Sequence, residues 1–170
     1  MEAYALTDIG QVRSMNQDYI YSSPERVGSL PNLFLVADGM GGHQAGDYAS
    51  RFAVENLVIY LNREGKGSPV MQLKTGIGIV NGPLYEESLL REELKGMGCT
   101  LVAGVVEDNL LYVANVGDSR LYLIHNNTIR QITKDHSYVE EMVAMGQMRR
   151  GSADYNSRKN IITRAMGIGR

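Results

Sequence analysis

The sequence predicts an α+β protein in which helices cover antiparallel sheet, and three observations carry that expectation. Short strand-like segments dominate the chain, several are joined by links too short for a parallel crossover, and helical stretches stand apart from them. Asp18-Tyr-Ile-Tyr-Ser22 alternates as a strand does, and Leu33-Phe-Leu-Val-Ala37 is a continuous apolar run ending at Asp38, as expected of a strand buried on both faces. From Gln44 to Asn62, Ala45, Ala49, Phe52, Ala53, Leu57, Tyr60 and Leu61 keep the three-and-four spacing of one buried helical face. Glu64-Gly-Lys-Gly-Ser-Pro69 ends that helix. A second stripe follows from Val70 through Leu73, Ile77, Val80 and Leu84, but Gly76, Gly78, Gly82 and Pro83 oppose a helix, so a break or kink is expected near Asn81-Gly-Pro83. Cys99–Val106, Leu110–Val116, Leu121–His125 and Ile129–Thr133 read as four more strands. Glu107-Asp-Asn109 and Asn126-Asn127 supply turns, since Asn and Asp tolerate left-handed backbone. A third helix is expected over Ser137–Met145.

A length of 170 residues supports a single domain spanning 1–170. Nineteen acidic against seventeen basic residues give a net charge of −2, which argues against a nucleic-acid surface or a polybasic membrane anchor. No apolar run approaches the roughly 18 residues of a membrane span, and the start MEAYALTDIG lacks the pattern of a secretory signal. The single cysteine, Cys99, excludes an internal disulfide framework and fits a reducing compartment, so a cytoplasmic location is expected.

Four segments could carry chemistry. Asp38-Gly-Met-Gly-Gly-His43 follows the apolar strand: it places a carboxylate on a rigid element, glycines that let a cation or phosphate approach the main chain, and a histidine at a helix entry. It reads equally well as a glycine turn with a solvated Asp. Around Arg13-Ser-Met-Asn16-Gln-Asp18, Arg13 offers a fork suited to phosphate oxygens and Asp18 could face a metal, although an Arg and an Asp in a loop are usually only solvated. Val116-Gly-Asp118-Ser-Arg120 is a tight corner: either a further carboxylate at the sheet edge, or a turn with Arg120 paired to a nearby acid. In Thr133-Lys-Asp135-His-Ser137, Asp135 or Ser137 serves as a helix N-cap. Carboxylates without His pairs favour Mg²⁺ or Mn²⁺ over zinc. His125 and His136 read as structural. A nucleotide-binding module is disfavoured because no Gly-Lys-Ser/Thr phosphate loop is present.

In combination the segments are specific. Arg13-Ser-Met-Asn16-Gln-Asp18, Val36-Ala-Asp38-Gly-Met-Gly-Gly-His43, Gly96-Met-Gly-Cys-Thr100, Ala114-Asn-Val-Gly-Asp118-Ser-Arg120, Thr133-Lys-Asp135-His-Ser137 and Ile162-Thr-Arg-Ala-Met-Gly167 occur in this order over almost the whole chain. The chain resembles the bacterial metal-dependent Ser/Thr protein phosphatases of the PPM (PP2C-like) family. The resemblance implies a β-sandwich of two antiparallel sheets flanked by helices (four layers, αββα), with two Mn²⁺ or Mg²⁺ ions in a cleft at one end. It implies Asp38 as the bridging ligand, the Gly39 carbonyl as a further ligand, Asp18 as a ligand held directly or through metal-bound water, and Asp118 as ligand to a third ion. Arg13 would bind the substrate phosphate, His43 would protonate the departing seryl or threonyl oxygen, and a hydroxide shared by the ions would attack phosphorus. A stretch of about 138–159 resembles the flap beside the substrate groove, where paired Arg149 and Arg150 and the Met residues could meet phosphopeptides. The implied partners are phosphorylated proteins and a cognate Ser/Thr kinase, with the domain a monomer.

The family pattern continues past Arg170 with two aspartates, in Ser-Asp-Gly and Asp-Asn motifs, and with the strands and helix that close the sandwich. The 170-residue chain is therefore expected to be incomplete at its C-terminus and inactive or weak. The alternative is a non-catalytic phosphatase-like domain that binds a partner or regulates one.

Overall fold

The structure, a computed structural model, describes residues 1–42 and 44–169. Strands β1 (Asp18–Ser23), β2 (Leu33–Met40), β4 (Leu101–Glu107) and β5 (Leu110–Val116) form one antiparallel sheet in the order β1-β2-β4-β5, and the short β3 (Gly98–Cys99) pairs with the end of β2. Strands β6 (Tyr122–His125) and β7 (Thr128–Gln131) make a separate exposed hairpin. The turns lie where Asn and Asp predict them: Asp108, Asn126 and Asn127 have φ of 53°, 47° and 58°.

Helices α1 (Ala45–Arg63) and α2 (Pro69–Leu90) cover one face of the sheet. Period-two alternation sends Leu33, Leu35 and Ala37 of β2 and Leu101, Ala103 and Val105 of β4 into the core. There they meet Ala49, Ala53, Leu57 and Leu61 of α1 and Leu73, Val80 and Leu84 of α2. Phe34, Val36 and Asp38 consequently share the opposite face. Val36 is 44% exposed, so β2 is not buried on both faces as its unbroken apolar run predicts. That face borders a groove of about 730 Å³ whose other walls include Tyr4, Leu6 and Leu121.

Helix α2 also departs from expectation. It runs unbroken through Gly82 and Pro83 for 22 residues. Packing outweighs propensity here: Leu73, Val80 and Leu84 are buried, and a Cβ at Gly76 would lie 2.7 Å from Leu57 Cδ1, so that glycine permits the close approach of α1. Ser68 caps the helix by accepting from the Met71 N–H, and Pro69 occupies its first turn. Asn81 spends its side chain on the chain's far end, accepting from the Gly167 N–H at 2.8 Å and donating to the Gly169 carbonyl at 2.6 Å.

The segment after β7 holds α3 (Tyr138–Ala144) and α4 (Ala153–Arg158), the second of which the sequence reading did not anticipate. An antiparallel bridge between Ser137 and Ile162 closes its base. Within it Glu140, 6% exposed, accepts from Arg150 and from the Tyr155 hydroxyl. Arg150 thus faces an internal acid.

Candidate active site

Antiparallel pairing places Asp18, the first residue of β1, directly opposite Asp38 near the end of β2. Local sequence fixes both. Asn16 accepts from the Asp18 N–H at 3.0 Å, the Asx-type bond that starts the strand, and Asn16 is itself held by Thr7 at 2.7 Å. The Gly39 N–H donates to the Gln17 carbonyl at 3.0 Å, and the Ser50 hydroxyl of α1 donates to that same carbonyl at 2.7 Å. A Cβ on Gly39 would sit 2.0 Å from the Gly46 carbonyl oxygen, so glycine alone lets the first turn of α1 press against β2 beneath the carboxylates.

Arg13, Asp18, Asp38 and Gly39 line one cleft of about 240 Å³, together with Asp8, Asn16 and Gln17. Four of the residues singled out from sequence therefore converge. Asp118 stands apart from the lining residues, yet its charge reaches Asp38. His43 lies outside the described residues. Asp8, which accepts from the Gly10 N–H at 2.7 Å, was missed by the sequence reading; its only sequence signal is an acid two residues before a glycine that turns at φ 71°.

The electrostatics of the cleft centre on Asp38. The Asp38 carboxyl is held above the ordinary aspartate range, first by partial burial, then by the charges of Asp18 and Asp118, and against the opposing pull of Arg13. Carboxylates brought together this way repel one another, and a hard divalent cation would relieve the repulsion with the oxygen ligands it prefers. The donor set is all oxygen, the ligand type that hard divalent cations take. It is also sparse, since no group of three or more His, Cys, Asp or Glu among the described residues is placed to hold an ion together.

The neighbouring motifs hold structure. Arg120 pairs with Asp135 through Nε and Nη2, and Gln131 is a second partner, donating at 2.9 Å. Asp135 is thus an ion-pair partner rather than a helix cap, and Ser137 occupies the N-cap position of α3 without a side-chain cap bond. His136 is structural, as expected: its Nδ1 accepts from the Gly117 N–H at 3.1 Å, and its own N–H donates to the Gly117 carbonyl at 2.9 Å. Burial pushes the Cys99 thiol up to about 12, with Asp38 adding to the shift, so this cysteine is no nucleophile. No helix among the described residues is long and apolar enough to cross a membrane.

The family model for protein phosphatase 2C matches residues 9–142. The serine/threonine phosphatase stp of Listeria welshimeri is 39% identical over 176 residues, spanning 99% of this chain and 68% of that protein. The crystal structure of the serine/threonine phosphatase Stp1 from Staphylococcus aureus superposes with a TM-score of 0.86 at 37% identity, covering 96% of this chain and 65% of that one. A structure of the catalytic domain of the serine/threonine protein phosphatase PstP in complex with two manganese ions superposes with a TM-score of 0.75 at 31% identity, over 95% of this chain and 64% of that one. The chain spans about two thirds of the length of these relatives.

Proposed function

Since the chain belongs to the protein phosphatase 2C family, we propose that its cleft serves the divalent-cation-dependent hydrolysis of phosphoserine and phosphothreonine in proteins. The observation that carries this reading is the convergence of Asp18, Asp38, Gly39 and Arg13 on one cleft, with the two carboxylates paired so that a cation would relieve their repulsion. The substrates are phosphorylated proteins, with a Ser/Thr kinase acting in opposition, and the protein works as a cytoplasmic monomer.

Asp38, Asp18 and the Gly39 carbonyl would hold the pair of divalent cations, and Asp118 would serve a third. Divalent ions bound there would supply water of lowered pKa and positive charge against the phosphoryl oxygens. Arg13 grips the phosphate by its planar guanidinium and keeps phosphorus in line between the attacking water and the leaving group. Water forms the new O–P bond and sheds a proton to solvent as the seryl or threonyl O–P bond breaks, while His43 donates the proton that the leaving oxygen takes up and is reprotonated from solvent. No side chain is phosphorylated on the way, in keeping with the inert thiol of Cys99. Segment 138–159 is the flap beside the groove, where exposed Arg149 could touch substrate while Arg150 braces Glu140.

Two carboxylates and a carbonyl are few ligands for a pair of hard cations, which then stay largely hydrated and weakly held. The 170-residue polypeptide is accordingly slow or inactive by itself. The test is release of phosphate from a phosphothreonine peptide with millimolar Mn²⁺, beside Stp1 of S. aureus. Turnover far below Stp1, and lost with Asp38→Asn, is expected. Turnover equal to Stp1 contradicts the ligand-count argument, and turnover untouched by Asp38→Asn or by chelation contradicts the reading itself.

A further inference from the structure

Two motif side chains take no part in the reaction outlined above, Thr100 and Ser119. Thr100 lies between β3 and β4 and is 1% exposed. Its N–H donates to the Asp38 carbonyl at 2.8 Å, and its Oγ1 accepts from the Asp38 N–H at 3.0 Å. Both main-chain polar groups of Asp38 are therefore engaged by one residue. The same Oγ1 stands 2.7 Å from the hydroxyl of Ser119, the residue after Asp118. Thr100 also fills the space under the preceding corner: a Cβ on Gly117, whose φ is +101°, would lie 2.6 Å from Thr100 Cγ2.

One buried side chain thus contacts the main chain at Asp38 and both flanks of Asp118. The hydroxyl suits this task. Accepting from an N–H leaves it a proton and a further lone pair, so it can bond Ser119 in either direction, whereas valine of the same shape could do neither. With Val in its place the Asp38 N–H and the Ser119 hydroxyl would lose their partner inside the protein, and the two segments would lose their common reference point.

We propose that Thr100 is a positioning residue whose hydroxyl, acting with Ser119, sets the separation of the Asp38 and Asp118 carboxylates and so tunes cation affinity. The cation part rests on the reading of Asp38 as a ligand; the positioning part does not.

The test compares the wild-type chain with Thr100→Val, Thr100→Ser and Ser119→Ala by amide hydrogen exchange without metal and by Mn²⁺ binding in EPR titration. In Thr100→Val the Asp38 amide should exchange about tenfold faster and Mn²⁺ bind about tenfold more weakly, as the loss of one buried hydrogen bond implies. Thr100→Ser should restore both. Ser119→Ala should leave Asp38 exchange near wild type, shift the Asp118 amide resonance and weaken Mn²⁺. Unchanged exchange in Thr100→Val, or a Thr100→Ser variant as impaired as Thr100→Val, overturns the proposal. If Thr100→Val does not fold, Ser119→Ala decides: an unmoved Asp118 resonance with unchanged Mn²⁺ affinity overturns it. Wild-type protein that binds no Mn²⁺ while the exchange pattern holds would retain the positioning role and remove the proposed function instead.

Discussion

Asp18 and Asp38 face each other across the β1–β2 ladder, two acidic residues in direct register that line one cleft. Such a pair costs folding stability, because like charges directly opposite in a sheet repel.

The first consequence concerns Asp38→Asn. Removing the charge should stabilise the metal-free protein by roughly 0.2–1 kcal/mol, while Mn²⁺, which should raise the melting temperature of the wild type, should leave the variant unmoved. Calorimetry with and without Mn²⁺ measures both. A destabilised variant that still gains from Mn²⁺ would contradict the assignment.

The same carboxylate sets a pH dependence. Its folded pKa is raised, so between the ordinary aspartate range and that raised value the folded state binds more protons than the unfolded one, and stability falls as pH rises. The advantage of Asp38→Asn should therefore be largest at neutral pH and vanish as pH falls toward the ordinary aspartate range. Urea titrations of both proteins from neutral to mildly acidic pH provide the comparison; a difference that does not change with pH would count against the raised pKa.

His136 should act in the opposite sense. Its Nδ1 must stay unprotonated to accept from Gly117, and burial, then the charges of Arg164 and Lys134, lower its pKa, while Glu141 and Asp135 pull it up. The unfolded state then binds the extra proton first, so this contribution is complete above about 6.5 and is lost as pH falls below it. In His136→Asn, whose Oδ1 can accept the same bond at any pH, that part of the slope should disappear. A slope identical to wild type would show that His136 titrates normally.

A Cβ at Gly39 meets the Gly46 carbonyl at 2.0 Å. Gly39→Ala should destabilise the fold by about 1–3 kcal/mol, the usual range for overpacking. Gly78→Ala, at a position with open space in α2, should be neutral or stabilising by up to about 1 kcal/mol. Equal effects in chemical denaturation would refute the close approach of α1 to β2.

Much of this architecture was legible in the sequence, and the gaps have physical causes. Asp18 and Asp38 could be placed at strand ends because alternation and apolar runs mark strands, but their pairing depends on the sheet register, which no local pattern encodes. Val36 is exposed although its neighbours are apolar, since an apolar run cannot say whether a layer covers the second face. Gly82 and Pro83 argue against a helix that tertiary packing nevertheless forms. The bond from Arg120 to Asp135 spans 15 residues, beyond the reach of cap and turn rules, which is why Asp135 read as a cap. Family resemblance gave roles to Arg13, Asp38 and Asp118, whereas the hydroxyls of Thr100 and Ser119 became visible only as distances.

The most direct measurement is an EPR titration of Mn²⁺ into the chain and its Asp38→Asn and Asp18→Asn variants. Weak binding that disappears with Asp38→Asn and is diminished with Asp18→Asn is the predicted result. Binding of equal strength in all three proteins would contradict a cation centre built on Asp38.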